Sequence, residues 1–139
     1  MNITFLAAFA SYALAALLSM TFGATYLVRS QFMPYHQEAL GIPWQQLDQR
    51  LQALLLGLMR TAGGGLLAGG LSTALLLLFP FRAGEPWSYY AIPAIGLVTV
   101  VPALYATILI RSRTRAHTPV AAGAAGVGLL VIGFILSLI

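Results

Sequence analysis

The chain has 139 residues, 60% of them hydrophobic and 7% charged, where a soluble domain carries about 25% charge. A protein core of this size cannot hide so much apolar surface, so lipid is the expected solvent and residues 1–139 form one membrane domain. The net charge of +4 comes from seven arginines without a lysine, placed at the ends of apolar runs and not along a phosphate-tracking face; with no cysteine, disulfides, thiolate metal sites and thiol catalysis are excluded as well.

In chain order, four nearly uncharged runs span about residues 3–28, 53–79, 87–110 and 119–139. Each reaches the roughly 20 residues that cross a bilayer as a helix, and none alternates with the period of two that a barrel strand requires. The expected fold is all-α, an integral membrane bundle of four transmembrane helices. The first run lacks the basic n-region of a signal peptide and reads as a retained span. Between the first two runs, the loop from Ser30 to Trp44 holds Phe32, Tyr35, His36 and Trp44. It is too apolar to float in water and is expected in the interface or folded back on the helix ends.

Residues 43–52 then read as an amphipathic helix opening at Pro43 and continuing the leucine spacing of the second span. A helix from Trp44 to Phe79 would run about 54 Å, so a bend near Gly57 or Gly63–Gly65, or protrusion from the membrane, is expected. Pro80 and Pro86 bracket a short second loop beside Trp87, Tyr89 and Tyr90, an aromatic belt. Pro93 and Pro102 bend the third span. Arg29 and Arg50 share a side with Arg111, Arg113 and Arg115, which makes the first and third loops cytoplasmic and both termini external, in a bacterial inner membrane. The segments from Ala24 to Ser30 and from Ala106 to Ser112 look alike, as a duplicated hairpin would, although the rest of the hairpins aligns poorly.

Arg60 is the one charge inside an apolar run, and such a charge is either an anchor that snorkels to the headgroups, half of a helix-packing ion pair with Glu38 or Asp48 as the candidate acid, or a ligand or partner contact. With Gln52, Tyr26, Tyr105 and Thr107 at similar depth, and His36 and Glu38 from the loop, it would line a cytoplasmic-side polar pocket. A forked guanidinium there suits an anionic headgroup or a small polar ligand. Gly65 and Gly69, with Ala122 and Gly126, have the small-x-x-x-small spacing that lets helices approach closely. His36 and Glu38 form a weak acid–base pair; neither they nor His117 make a metal or haem site, and no cofactor is implied.

The blocks FMPYHQEALGIPW and LQALLLGLMRTAGGGLLAGG resemble small bacterial four-span inner-membrane proteins with no assigned activity. The size is also similar to that of small multidrug exporters, but the first span carries no acid. Nor do the acidic residues of sterol-isomerase-like and DoxX-like bundles find a match. Three readings follow. The first is a non-enzymatic accessory or structural membrane protein that packs with itself or a larger complex. The second is a bundle that binds or transports a lipid or small molecule around Arg60. The third is a membrane enzyme using His36 and Glu38.

Overall fold

The computed structural model describes residues 3–139, and those residues are helical without a strand. Helix α1 covers Ile3–Val28, a short α2 Pro34–Leu40, α3 Gln49–Leu76, α4 Ser88–Thr114 and α5 Val120–Ser137. Among the described residues, α1, α3 with the turn that follows it, α4 and α5 are long and apolar enough to cross a membrane, which makes this a multi-pass bundle. Helix α1 packs on α3 and α5, and α4 closes the ring against the same two.

Local chemistry sets the boundaries. Gly41 takes the left-handed conformation (φ 66°) that ends α2, with its N–H donating to the Gln37 carbonyl. The amphipathic helix expected from Pro43 is absent. Trp44–Gln46 makes one 3-10 turn, and α3 begins only at Gln49 because Asp48 caps it, its side chain accepting from the Arg50 N–H at 2.9 Å. The later start shortens α3 to about 42 Å. Neither Gly57 nor Gly63–Gly65 interrupts it. The irregularity falls instead at Leu77–Phe81, a wide turn around Pro80, which has no N–H to continue the ladder. The third span runs past Ile110 to Thr114, with Arg111 and Arg113 in the last turn where cations suit a helix C-terminus. The similar stretch in α1 stops at Val28, so the two hairpins diverge at the very segment that suggested a repeat.

Close packing of α1 on α3 runs through glycine backbone. A Cβ on Gly63 would stand 2.7 Å from the Tyr26 Cβ and 2.8 Å from the Gly23 carbonyl oxygen, and one on Gly23 would stand 2.6 Å from the Leu67 nitrogen. Gly70, seven residues on and so on the same face, lies against Ala16 and Met20.

Two clusters of buried side chains result. One fills the end of the bundle where α1 begins: Ala8, Tyr12, Leu77, Phe81, Ile92 and Leu130. Phe81 is its hub, meeting Tyr12 edge-on at 5.7 Å and Phe5 in a stack at 4.9 Å. The other gathers Phe32, Trp44, Leu47 and Met59 beneath the first loop, which folds back on the helix ends.

Candidate functional site

At the end where α1 finishes, the four long helices enclose a cavity of about 870 Å³. Its walls are almost wholly apolar, with Leu18 and Phe22 from α1, Leu66 from α3 and Leu104 from α4 among them. Helix α2 contributes Tyr35, His36, Ala39 and Leu40 as a cover. Two lining residues, Leu58 on α3 and Val98 on α4, are 59% and 76% exposed, so the cavity opens sideways between those helices. Further along, α3 and α4 touch where Gly69 meets the Thr99 side chain.

Three attachments hold α2 in place. Tyr35 shares a hydroxyl–hydroxyl hydrogen bond with Tyr26 of α1. Phe32, just before α2, sits edge-on against Trp44 at 5.0 Å. Glu38 reaches the turn between α4 and α5, where one carboxylate oxygen accepts from the His117 backbone N–H at 2.8 Å and meets Nδ1 at 2.9 Å. That turn is set by Arg115, whose left-handed conformation (φ 61°) ends α4, and by Thr118, which donates to the Thr107 carbonyl at 2.8 Å.

These contacts act on the titrating groups of the loop. Hydrogen bonds from His117, the backbone one foremost, hold the Glu38 carboxyl below its ordinary value. Burial pushes the Tyr35 phenol up, and the Tyr26 hydroxyl adds to the effect. Burial lowers His36, which keeps its ring neutral at pH 7. The His36 Nδ1 accepts from the Met33 N–H at 3.3 Å, across the first turn of α2.

The residues singled out in the sequence divide into two groups. Tyr26, His36 and Thr107 line the cavity. Arg60 does not: it is exposed on the outer face of α3, and the candidate acids are engaged elsewhere, Asp48 as a helix cap and Glu38 at His117. Tyr105 is 66% exposed on the outer face of α4. Gln52 braces the loop, its amide donating to the carbonyls of Trp44 at 2.8 Å and Leu47 at 3.2 Å. Glu38 does not pair with His36; among the described residues, the one ion-pair geometry joins it to His117. Gly69 lies against Thr99; Gly126 lies against Val100 and, like Gly65 and Ala122, borders the cavity, where a Cβ on Gly65 would meet nothing within 4 Å. Gly65 is two residues from Gly63, about 200° around the helix, so the two cannot share a face.

Sequence reasoning passed over Ser19 and Tyr35, both lining residues. Ser19 carried a usable signal, since it lies seven residues before Tyr26 on one helical face. No family model, curated protein or solved structure matches this chain.

Proposed function

We propose that this is a non-catalytic membrane protein that holds a lipid-like molecule between its spans, in a bacterial inner membrane with the α2 end cytoplasmic. The cavity carries this reading. About 870 Å³ of space lies within the 300–1,000 Å³ typical of ligand pockets. It sits under a tethered cover and opens toward lipid. The arginines at the α2 end favour the assigned side, because cytoplasmic loops carry the excess of positive charge.

Occupancy is tested with the purified protein in detergent and an environment-sensitive apolar dye, displaced by lipid extract. Gly65→Leu and Ala122→Phe, which fill the cavity, are expected to weaken dye binding at least about tenfold, since a lost apolar site of this kind is worth more than 1.4 kcal/mol. Unchanged dye affinity in folded Gly65→Leu protein overturns the reading.

A second reading, an accessory protein that packs against a second copy or a larger complex, draws on Gly57, Gly64 and Gly128. At these positions a Cβ would meet nothing within 4 Å, which leaves small surfaces open on α3 and α5 for another helix. Gly64→Leu paired with Gly128→Leu should then reduce the assembly's mass in detergent; an unchanged mass counts against it.

A further inference from the structure

The hydrogen-bonding groups on the cavity wall are unevenly satisfied. In α1 the hydroxyls of Ser11, Thr21 and Thr25 each donate to the carbonyl four residues back, at 2.7–2.8 Å. Ser19 does not. It lines the cavity, is 8% exposed, and its hydroxyl has no partner among the described residues.

His36 is half satisfied. Its Nδ1 accepts the Met33 N–H, which leaves the ring proton of the neutral imidazole on Nε2. That Nε2–H has no partner among the described residues. The Tyr26–Tyr35 pair uses one phenolic proton and keeps the other for a further acceptor. The wall therefore offers unpaired donors.

No arginine, lysine, aspartate or glutamate lines the cavity. Arg29, which acts on Tyr35 through charge, and Arg60 are both exposed. A charged headgroup lodged inside would sit in apolar surroundings without a counter-charge, which is costly. An uncharged head rich in acceptor oxygens would meet donors that are otherwise idle.

Resting on the reading of the cavity as a lipid-like site, we propose that its occupant is an uncharged amphiphile with a carbonyl head. Ser19 Oγ–H and His36 Nε2–H hold the head, and the tail leaves between α3 and α4. Ser19 and Tyr26 are about 10 Å apart along α1, so the wall presents donors at two levels and suits a head with two acceptor oxygens. Prenylquinones and diacylglycerols share that chemistry: two carbonyls, no charge and long tails.

The test uses the whole chain in nanodiscs with four probes: a short-chain prenylquinone, dioctanoylglycerol, dioctanoyl phosphatidylglycerol and a headless alkane. Tight binding of the quinone or of the diacylglycerol identifies the source; the headless probe is weaker by about tenfold, as the loss of two neutral hydrogen bonds implies, and the anionic probe, which keeps its ester carbonyls, is weaker because its charge meets apolar walls without a counter-charge. Ser19→Ala and His36→Asn should each weaken the preferred probe about three- to tenfold. Asparagine keeps an acceptor near the Nδ1 position to cap α2 and lacks the distal donor, while His36→Gln supplies a distal N–H and recovers affinity.

Hydrogen exchange of α2 separates loss of the donor from loss of the cap. If His36→Asn loosens α2, Ser19→Ala decides, and unchanged affinity in that variant overturns the proposal. Equal binding of the alkane, or tighter binding of the phospholipid, overturns it while leaving the cavity reading intact. Failure of every probe to bind the wild-type chain overturns both.

Discussion

The two ends of this bundle are built from the same four helices and reach opposite results. Where α1 begins, Tyr12, Phe81, Ile92 and Leu130 are sealed together, with Tyr12 and Phe81 wholly inaccessible. Gly133 permits that seal, since a Cβ there would stand 2.8 Å from the Tyr12 ring. Where α1 finishes, small residues occupy comparable places, but Gly65 and Ala122 border empty space. A small residue closes a bundle only when a neighbouring backbone or a large side chain comes up to meet it. At the first end aromatic rings cross, and at the second the rings of Phe22 and Tyr26 from α1 and of Tyr35 and His36 from α2 border the space without filling it. The cavity follows from where the bulk was placed.

The contrast predicts a steep difference between glycines two residues apart. Gly63→Leu drives a side chain into the α1 backbone, a clash that flexible neighbours cannot absorb. It should cost more than about 3 kcal/mol and leave no folded monomer in a detergent unfolding titration. Gly65→Leu points into open space and should unfold within about 1 kcal/mol of the wild type. Equal damage at both positions would break the distinction between a packed helix crossing and an open cavity wall.

The closed end gives the next largest effect. Tyr12→Ala empties a sealed site and should cost about 3–5 kcal/mol in the same titration. Tyr12→Phe keeps the ring and removes a buried hydroxyl whose neighbour Ser137 donates to the Phe134 carbonyl and not to it, so it should be close to neutral. Destabilisation by the phenylalanine would mean that the hydroxyl has a partner in solution.

The division into ends was only partly legible in the sequence. The spans were, because uninterrupted apolar runs have one stable form in lipid. The first falls at Ile3–Val28, and the third overshoots the apolar run because its arginines suit the helix end. The site was less legible, because depth along a helix can be counted whereas the direction a side chain faces depends on partners. Arg60 and Met59 are neighbours, yet Met59 is buried and Arg60 exposed, a difference fixed by the angle at which Gly63 and Gly70 seat α3 on α1. Glu38 meets His117 across 79 residues of sequence, and nothing local announces that pairing.

Acid should sharpen the comparison by loosening one end alone. Glu38 titrates below its ordinary value in the folded chain, so its contribution is present above the ordinary carboxylate range and is lost as pH falls through the depressed value. The lowered value of His36 means that the open form takes up a proton first. That contribution is full above its ordinary value of 6.5 and declines as pH drops below it. A second proton on the ring also ends acceptance of the Met33 N–H. The protection factors of residues 35–40, corrected for the base-catalysed intrinsic exchange rate, should therefore fall between pH 7 and pH 5, while those of residues 8–15 hold. Glu38→Gln should raise exchange in α2 at pH 7 and leave the closed end untouched. An equal response at both ends would mean that α2 is not separately tethered.

The smallest effect is expected where the sequence drew most attention. Arg60 lies about 16 Å along α3 from Gln49 by helical rise and faces outward, where a long side chain can lay its stem on the helix and send its charge to the headgroups. It lines no part of the cavity. Arg60→Gln should shift apolar-dye affinity by less than about twofold, within the range of a surface change that touches no binding group. The variant keeps length and polarity, so a larger loss could not be put down to a missing stem. It would mean that the guanidinium reaches the occupant through the opening between α3 and α4, which would add a charged head to the chemistry the cavity accepts.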